Sequence, residues 1–454
     1  MKTNSKEIFG TYTYPCFANK GKVKKVFSIL EEYRKTAKNI SYVQWRYFFT
    51  TQSGRFNKYL SVKDVPSKLS ESYKQNCSWQ VVGTLESYIK VLQERFVKYV
   101  ANSTLSKEDK EILYAINYKR LWFKKNIGSI NVNVGGKIKT LQITSNHELL
   151  ARKIFHRLLK TNKKPSFKNL SLHLDNKVAV IEEKKPNKAK KFDYWIKLST
   201  LEKGNPIALP LKANSYAEQQ DGEMANFVNI KIENNELKIN LVKKLNPKVY
   251  IPLTDKVSID IGLNPLFATD KGDLFGRKFF DRLVKFDEKI TNRVKYLQKS
   301  GIKNFKSDKK YVELINCLRN YLKNEINRII NRLVNIYKPK TIVIENLDFR
   351  GTELSRRMNR LLHNFGKRII KEKLKRLSEL YQIEIIEVNP AYSSQECSAC
   401  GYIDKKNRKS TEKFECKVCG KKINAQVNAA RVIGKRSSLT LIKPHHSKKY
   451  VLKV

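Results

Sequence analysis

Four cysteines and two acids are the residues whose types and spacing could do chemistry. Cys397 and Cys400 form one Cys-x2-Cys pair and Cys416 and Cys419 a second, fifteen residues further on. A glycine follows each pair, Gly401 and Gly420, and helps a knuckle turn. Four thiolates on two knuckles are what tetrahedral zinc requires, and four protein ligands leave no coordination position open for substrate. The Zn2+ expected here is therefore structural. An iron–sulfur cluster, or cysteines with no common partner, are the alternatives. Cys16, Cys77 and Cys317 stand apart. A metal site plus free thiols is a cytosolic pattern rather than a disulfide framework.

The acids lie on apolar strands. Asp260 sits within "VSIDIG" and Glu345 ends the run "TIVIE". A charge on such a strand is costly to bury unless it is paired or metal-bound. Two carboxylates on neighbouring strands would converge on one point, where hard divalent cations such as Mg2+ could clamp an in-line phosphodiester cleavage. Taken singly, each acid also reads as a strand-end cap or half of an ion pair.

The rest of the chain must position these residues and find a partner for its charge. It has 454 residues, with 92 Lys+Arg against 42 Asp+Glu, a formal net charge of +50. That excess costs self-repulsion unless a polyanion neutralises it, so nucleic acid is the leading partner. A ribosomal or membrane-surface protein is the plainer alternative. Hydrophobic residues make up 41% of the chain, enough for a buried core in most of it. No apolar run reaches eighteen residues and the N-terminus has no signal-peptide stretch, so a cytoplasmic protein without a membrane partner is expected.

Pattern changes divide the chain. Residues 1–21 contain a short β-branched and aromatic strand. Residues 22–127 are helical, with Val23, Val26, Phe27, Ile29 and Leu30 near one face and a capping box at Ser106 and Asp109. Residues 128–250 are strand-rich, with hairpin turns at "DNK" and "ENNEL" and one helix at 147–160. This predicts a mostly antiparallel barrel or sandwich. From 251 to 389 the order is strand–strand–helix–strand–helix–strand, a mixed α/β sheet. The cysteine segment at 390–422, a last helix at 423–434 and a basic tail at 435–454 follow.

In this order, "SIDIGLNPLFAT", "IVIENLDF", "VNPAYSSQECSACG" and "INAQVNAARVI" around a four-cysteine ribbon resemble the split RuvC-type nuclease domain of TnpB-like proteins and compact type V CRISPR effectors. The likeness is specific over about 250–434. It implies an N-terminal barrel with a helical insertion, then an RNaseH-like RuvC domain with an inserted zinc ribbon. It also implies a guide RNA and a double-stranded DNA target. In that family three acids hold the metals. Asp260 and Glu345 match the first and second. The third is the Asp of an "N-A-D-x-N-A-A" motif, and Gln426 stands in its place within Asn424–Ala430. No Asp or Glu occurs from 417 to 454. Glu387 and Asp348 are the nearest carboxylates that could substitute.

The expected binding surface follows from the cations. Lys184, Lys185, Lys188, Lys190 and Lys191 share one turn suited to phosphate contacts, although a solvated loop explains them equally. Arg46 and Arg55 lie among aromatics that suit base stacking, or that form a helix core with a basic edge. By the resemblance, Arg356, Arg357, Asn359 and Arg360 border the nucleic-acid channel. The expected function is RNA-guided DNA binding with a degenerate nuclease site, acting by occupancy or by recruiting a transcription partner, with one or two protein copies per guide. An active Mg-dependent endonuclease and a guide-free zinc-ribbon accessory protein are the rivals.

Overall fold

The computed structural model describes residues 7–134, 137–183, 191–233, 236–345 and 354–437. Lys184, Lys185, Lys188, Lys190, Asp348 and the basic tail beyond 437 lie outside them. The chain divides into two compact units, Met1–Leu245 and Asn246–Val454. Among the described residues no helix is long and apolar enough to cross a membrane.

In the first unit, strand β1 (Ile8–Pro15) leads into helices α1 (Lys20–Thr51), α2 (Glu71–Ala101) and α3 (Lys107–Lys119). Asn19 caps α1 by accepting from the Lys22 N–H at 2.9 Å, and Ser106 caps α3 by accepting from the Asp109 N–H at 3.0 Å. Val26, Ile29, Leu30 and Tyr33 bury one stripe of α1 at helical spacing. Phe27 falls a turn-step off that stripe and stays 45% exposed, contrary to its expected place on the buried face.

A hairpin of β2 (Ser129–Val134) and β3 (Lys137–Gln142) precedes α4 (Ser145–Thr161). Strands β4 (Leu172–Asp175), β5 (Ala179–Glu183), β6 (Tyr194–Leu198) and β7 (Ile207–Leu211) come next, then the short α5 (Ser215–Glu218), β8 (Gly222–Glu233) and β9 (Glu236–Leu245).

The expected closed barrel is not formed by these strands. Among the described residues, apart from the β2–β3 hairpin, they make two sheets, ordered β1-β9-β8-β4 and β5-β6-β7. Two corners link them. The "DNK" turn, with Lys177 N–H on Asp175 Oδ1 at 3.1 Å, carries β4 into β5. Beyond β1, Cys16 bridges Leu211 of β7. One core serves both sheets, including Tyr14, Leu174, Ile196, Leu209 and Ile239. Two faces packed on a shared core satisfy the alternating pattern without full closure.

In the second unit, β10 (Thr254–Ile261), β11 (Phe267–Thr269) and β12 (Leu274–Phe275) form an antiparallel meander. The stretch read as two strands is therefore three, because the loop after Gly262 already reverses the chain, closed by Gly262 N–H on the Leu266 carbonyl at 3.0 Å. Helices α6 (Phe279–Lys299) and α7 (Lys309–Tyr337) lead to β13 (Pro339–Glu345). Helices α8 (Arg356–Leu361) and α9 (Lys367–Tyr381), joined by a π-turn over Leu362–Gly366, lead to β14 (Glu384–Val388). The sheet order is β12-β11-β10-β13-β14, with β10, β13 and β14 mutually parallel. The ribbon hairpin β15 (Lys413–Glu415) and β16 (Lys422–Asn424) then feeds α10 (Ala425–Arg436).

Opposite faces of this sheet do different work. Val257, Ile259, Ile342 and Ile344 pack with α7 and α9 residues such as Leu322, Ile326 and Ile370 in one apolar cluster. Their period-2 partners Val343, Ile386 and Val388 cluster instead with Ile433 of α10. Gly434 lets α10 approach closely, since a Cβ there would stand 2.4 Å from Ser258 Oγ.

Candidate metal centre and nucleic-acid interface

The register of the parallel pair positions the acids. Ser258 pairs with Val343 and Ile259 with Ile344, so the next residues, Asp260 and Glu345, fall side by side at the strand ends. They share the α10 face with Ser258 and Val343, two residues earlier on each strand. The two carboxyls hydrogen-bond each other. Two carboxyls this close disfavour each other's ionised forms. Burial first, and Glu345 second, hold the Asp260 carboxyl well above its ordinary range. Burial likewise raises Glu345, opposed by the Ser393 hydroxyl, which donates to Glu345 Oε2 at 3.1 Å.

Gln426 occupies the first turn of α10, whose N-cap Asn424 accepts from the N–H groups of Gln426 and Val427 at 3.0 and 3.2 Å. Its side chain is 6% exposed. Nε2 donates to the Asn264 carbonyl at 2.8 Å, next to the Asp260 strand end. Oε1 is buried with no hydrogen-bond partner. The first turn of α10 holds no acid, although a helix N-terminus favours one there. The donor set is thus two carboxylates and one neutral amide. It fits one hard cation such as Mg2+ and poorly balances the charge of two.

Neither suggested substitute is brought in. Glu387 pairs with Ile344 across β14, on the opposite face of the sheet from Glu345, and forms an ion pair with Lys371 at 3.2 Å. Asp348 lies outside the described residues. Glu396 is on the α10 side but is held by Arg436.

The ribbon is complete. The Sγ atoms of Cys397, Cys400, Cys416 and Cys419 lie within 4.8 Å of one another, with 3.6 Å between Cys397 and Cys419 and 3.5 Å between Cys400 and Cys416. Those separations suit four thiolates around one zinc at about 2.3 Å each. Gly401 and Gly420 have φ of 76° and 67°, as the knuckle turns demand.

Several residues that shape this end of the molecule carry no signal in composition or spacing. Asn428 is fully buried and clamps the ribbon to α10: its Nδ2 donates to the Glu396 carbonyl at 2.7 Å and its Oδ1 accepts from the Ser398 N–H at 2.9 Å. Arg436 donates to the carbonyls of Asn389 and Ala391 at 2.8 and 2.7 Å and to the Glu396 carboxylate. Arg408 of the ribbon acts on both acids, lowering each carboxyl against the burial that raises it. The intact "N-A-x-x-N-A-A" frame was the only hint of Asn428.

The basic surfaces are scattered. Arg357 and Arg360 line a groove of about 510 Å³ together with Arg319 and Arg368. Arg356 is exposed at the start of α8. The Asn359 amide donates to the Leu354 carbonyl at 3.0 Å. Lys191 and Arg46 are exposed, and Arg55 lines a groove in the first unit. Trp45 and Phe48 are core, while Phe49 is 40% exposed.

Residues 368–433 match the family of Cas12f1-like TNB domains. Over 75 residues, 16% of this chain, the sequence is 40% identical to the CRISPR-associated endodeoxyribonuclease Cas12f1 of Sulfoacidibacillus thermotolerans. Over 77 residues it is 38% identical to a TnpB-like protein of Aquifex aeolicus. These stretches span 18% and 25% of the relatives' own lengths. A solved structure of Cas12f1 with its single-guide RNA and target DNA superposes with a TM-score of 0.31 at 16% identity, covering 94% of this chain and 98% of that one. Through this C-terminal segment, the chain is similar to TnpB-like proteins and compact type V CRISPR effectors.

Proposed function

We propose that the protein is an RNA-guided binder of double-stranded DNA whose RuvC-type nuclease is disabled at its third metal position. The single observation carrying this is Gln426, a neutral, buried amide where the family motif has a carboxylate, while Glu396 on that side is held by Arg436. Net charge of +50 supports a polyanionic partner. Guide–target pairing supplies sequence specificity and the protein holds the heteroduplex by shape and charge. The bound protein acts by blocking transcription or by recruiting a protein of the transcription machinery, in the cytoplasm and on the nucleoid, with one or two copies per guide.

In this reading the four cysteines hold Zn2+ for structure. Asp260 and Glu345 hold a single Mg2+, which as a Lewis acid would polarise a phosphate oxygen. Asp260 and Glu345 bind and orient that ion. Gln426 fixes the α10 terminus against the Asn264 carbonyl without adding charge. Arg356, Arg357, Arg360 and Lys191 contact phosphates, as do Lys184, Lys185, Lys188 and Lys190 from the segment before β6.

The test is cleavage and occupancy measured together. The native protein and its Gln426→Asp variant are purified with co-expressed RNA and given guide-matched duplex with Mg2+. Native occupancy without cleavage, with cleavage gained by the variant, is expected. Efficient native cleavage would sink the disabled-site reading. It would favour the second reading, an active endonuclease in which the partnerless Gln426 Oε1 serves as a neutral ligand. Binding indifferent to RNA would favour a guide-free accessory protein.

A further inference from the structure

A groove of about 1400 Å³ opens in the first unit, between the 52–60 loop, α2 and the end of α3. Two tyrosines stand on its rim, Tyr59 at 76% and Tyr118 at 83% exposure. At that exposure most of each ring surface is open to solvent. Arg55, Lys58, Lys90 and Lys119 line the same groove and are all exposed. Lys58 Nζ already lies 4.8 Å from the centre of the Tyr59 ring.

The segments that carry the tyrosines are fixed from beneath by a polar network. Buried Gln44 grips Asn57 twice, donating from Nε2 to its carbonyl at 2.7 Å and accepting its N–H on Oε1 at 3.0 Å. Glu86 accepts the Phe56 N–H at 3.1 Å and pairs with Arg120 at 2.5 Å. Gln93 and Asn117 exchange amide and carbonyl bonds at 2.7 and 3.1 Å. Gly54, at φ 66°, passes so close to Arg120 that a Cβ would meet the Arg120 carbonyl oxygen at 2.3 Å. The rim is held rigid while its aromatic faces are left open.

We infer that this groove holds unpaired nucleobases of a single strand, stacked on Tyr59 and Tyr118, with the four cations on the flanking phosphates. A tyrosine face beside a cation matches the chemistry of a base and its phosphate. A duplex keeps its bases stacked on each other and offers such a face only at its ends. A protein partner fits less well, since the exposed charges on the rim are four cations against Glu94. The strand is RNA or DNA by the same chemistry. Its origin, guide or displaced DNA strand, rests on the proposed RNA-guided function.

The experiment uses the full chain and three labelled probes: an oligouridylate, an oligothymidylate, and an abasic oligomer with the same number of phosphates. Anisotropy titrations should give base-bearing probes an advantage of about fivefold or more over the abasic one. Tyr59→Ala with Tyr118→Ala should remove most of that advantage and leave abasic binding and its salt dependence unchanged. The Tyr→Phe pair should retain it. A larger loss on uridylate assigns the groove to the guide, a larger loss on thymidylate to the displaced strand, and equal losses to either. An undiminished advantage in the double alanine variant overturns the inference, as does no advantage in the native protein. Neither result touches guided occupancy of matched duplex. Failure of that occupancy would sink the proposed function and leave the base-dependent difference standing.

Discussion

The second unit carries two clusters of metal-ligand type, and they differ in completeness. The cysteine ribbon has all four ligands in mutual reach. The acid pair has two buried carboxyls beside a neutral amide. Yet the packing around the acid pair is as finished as that around the cysteines: Gly434 seats α10 on Ser258, and Ile433 joins Val343 and Val388. Structure and chemistry are therefore separable here. Helix α10 holds the sheet through its alanines, glycine and isoleucine, which do not depend on charge at position 426. The ribbon has no comparable apolar core of its own, since its cluster is little more than Cys397, Phe414, Cys416 and Ala425.

The largest effect that can test this contrast lies at the ribbon. Cys416→Ser should abolish stoichiometric zinc and unfold residues 397–419, a loss of several kcal/mol locally, about the scale of structural zinc sites. Metal analysis and hydrogen exchange over that segment would check it. Retained protection without zinc would mean the ribbon folds on packing alone.

Gln426→Asp comes next. Restoring the third carboxylate should raise the cleavage rate at least about a hundredfold, equivalent to about 3 kcal/mol of transition-state stabilisation. A variant that cleaves no faster than the native protein would show that position 426 does not limit cleavage.

Asn428→Ala should cost about 2 to 4 kcal/mol, because the Glu396 carbonyl and the Ser398 N–H lose their partner in a buried setting. Denaturant unfolding would read it. An unchanged midpoint would show that the ribbon docks on α10 without this clamp.

The smallest effect distinguishes the acid pair from an ordinary core. In protein stripped of divalent cations, Asp260→Asn should stabilise by about 1 kcal/mol, by relieving the conflict between two adjacent buried carboxyls. Added Mg2+ should narrow the gap by stabilising the native chain. Destabilisation on both counts would mean the carboxylate is already balanced, with Arg408 and Arg436 as the available cations.

Much of this site was legible without coordinates. The cysteine spacing pointed to one cluster, and the four Sγ atoms do lie within 4.8 Å of one another. Asp260 and Glu345 stood out as charges on apolar strands, and Gln426 as a departure within an otherwise intact motif. The sheet in the second unit followed from strand and helix order. The first unit was less legible: alternating strands are equally consistent with a barrel and with two sheets. Phe27 was misplaced because an apolar residue next to a stripe is indistinguishable from one on it.

The sequence by itself determined the spacing of the four cysteines, the glutamine at position 426 and the excess of positive charge, because residue identity and local spacing settle those. Only the tertiary structure decided that Glu387 faces away from the acids, that Asn428 ties the ribbon to α10, and that Tyr59 and Tyr118 share one rim. Strand register turns a one-residue difference into opposite faces of a sheet. Loops distant along the chain meet only when the core beneath them is packed.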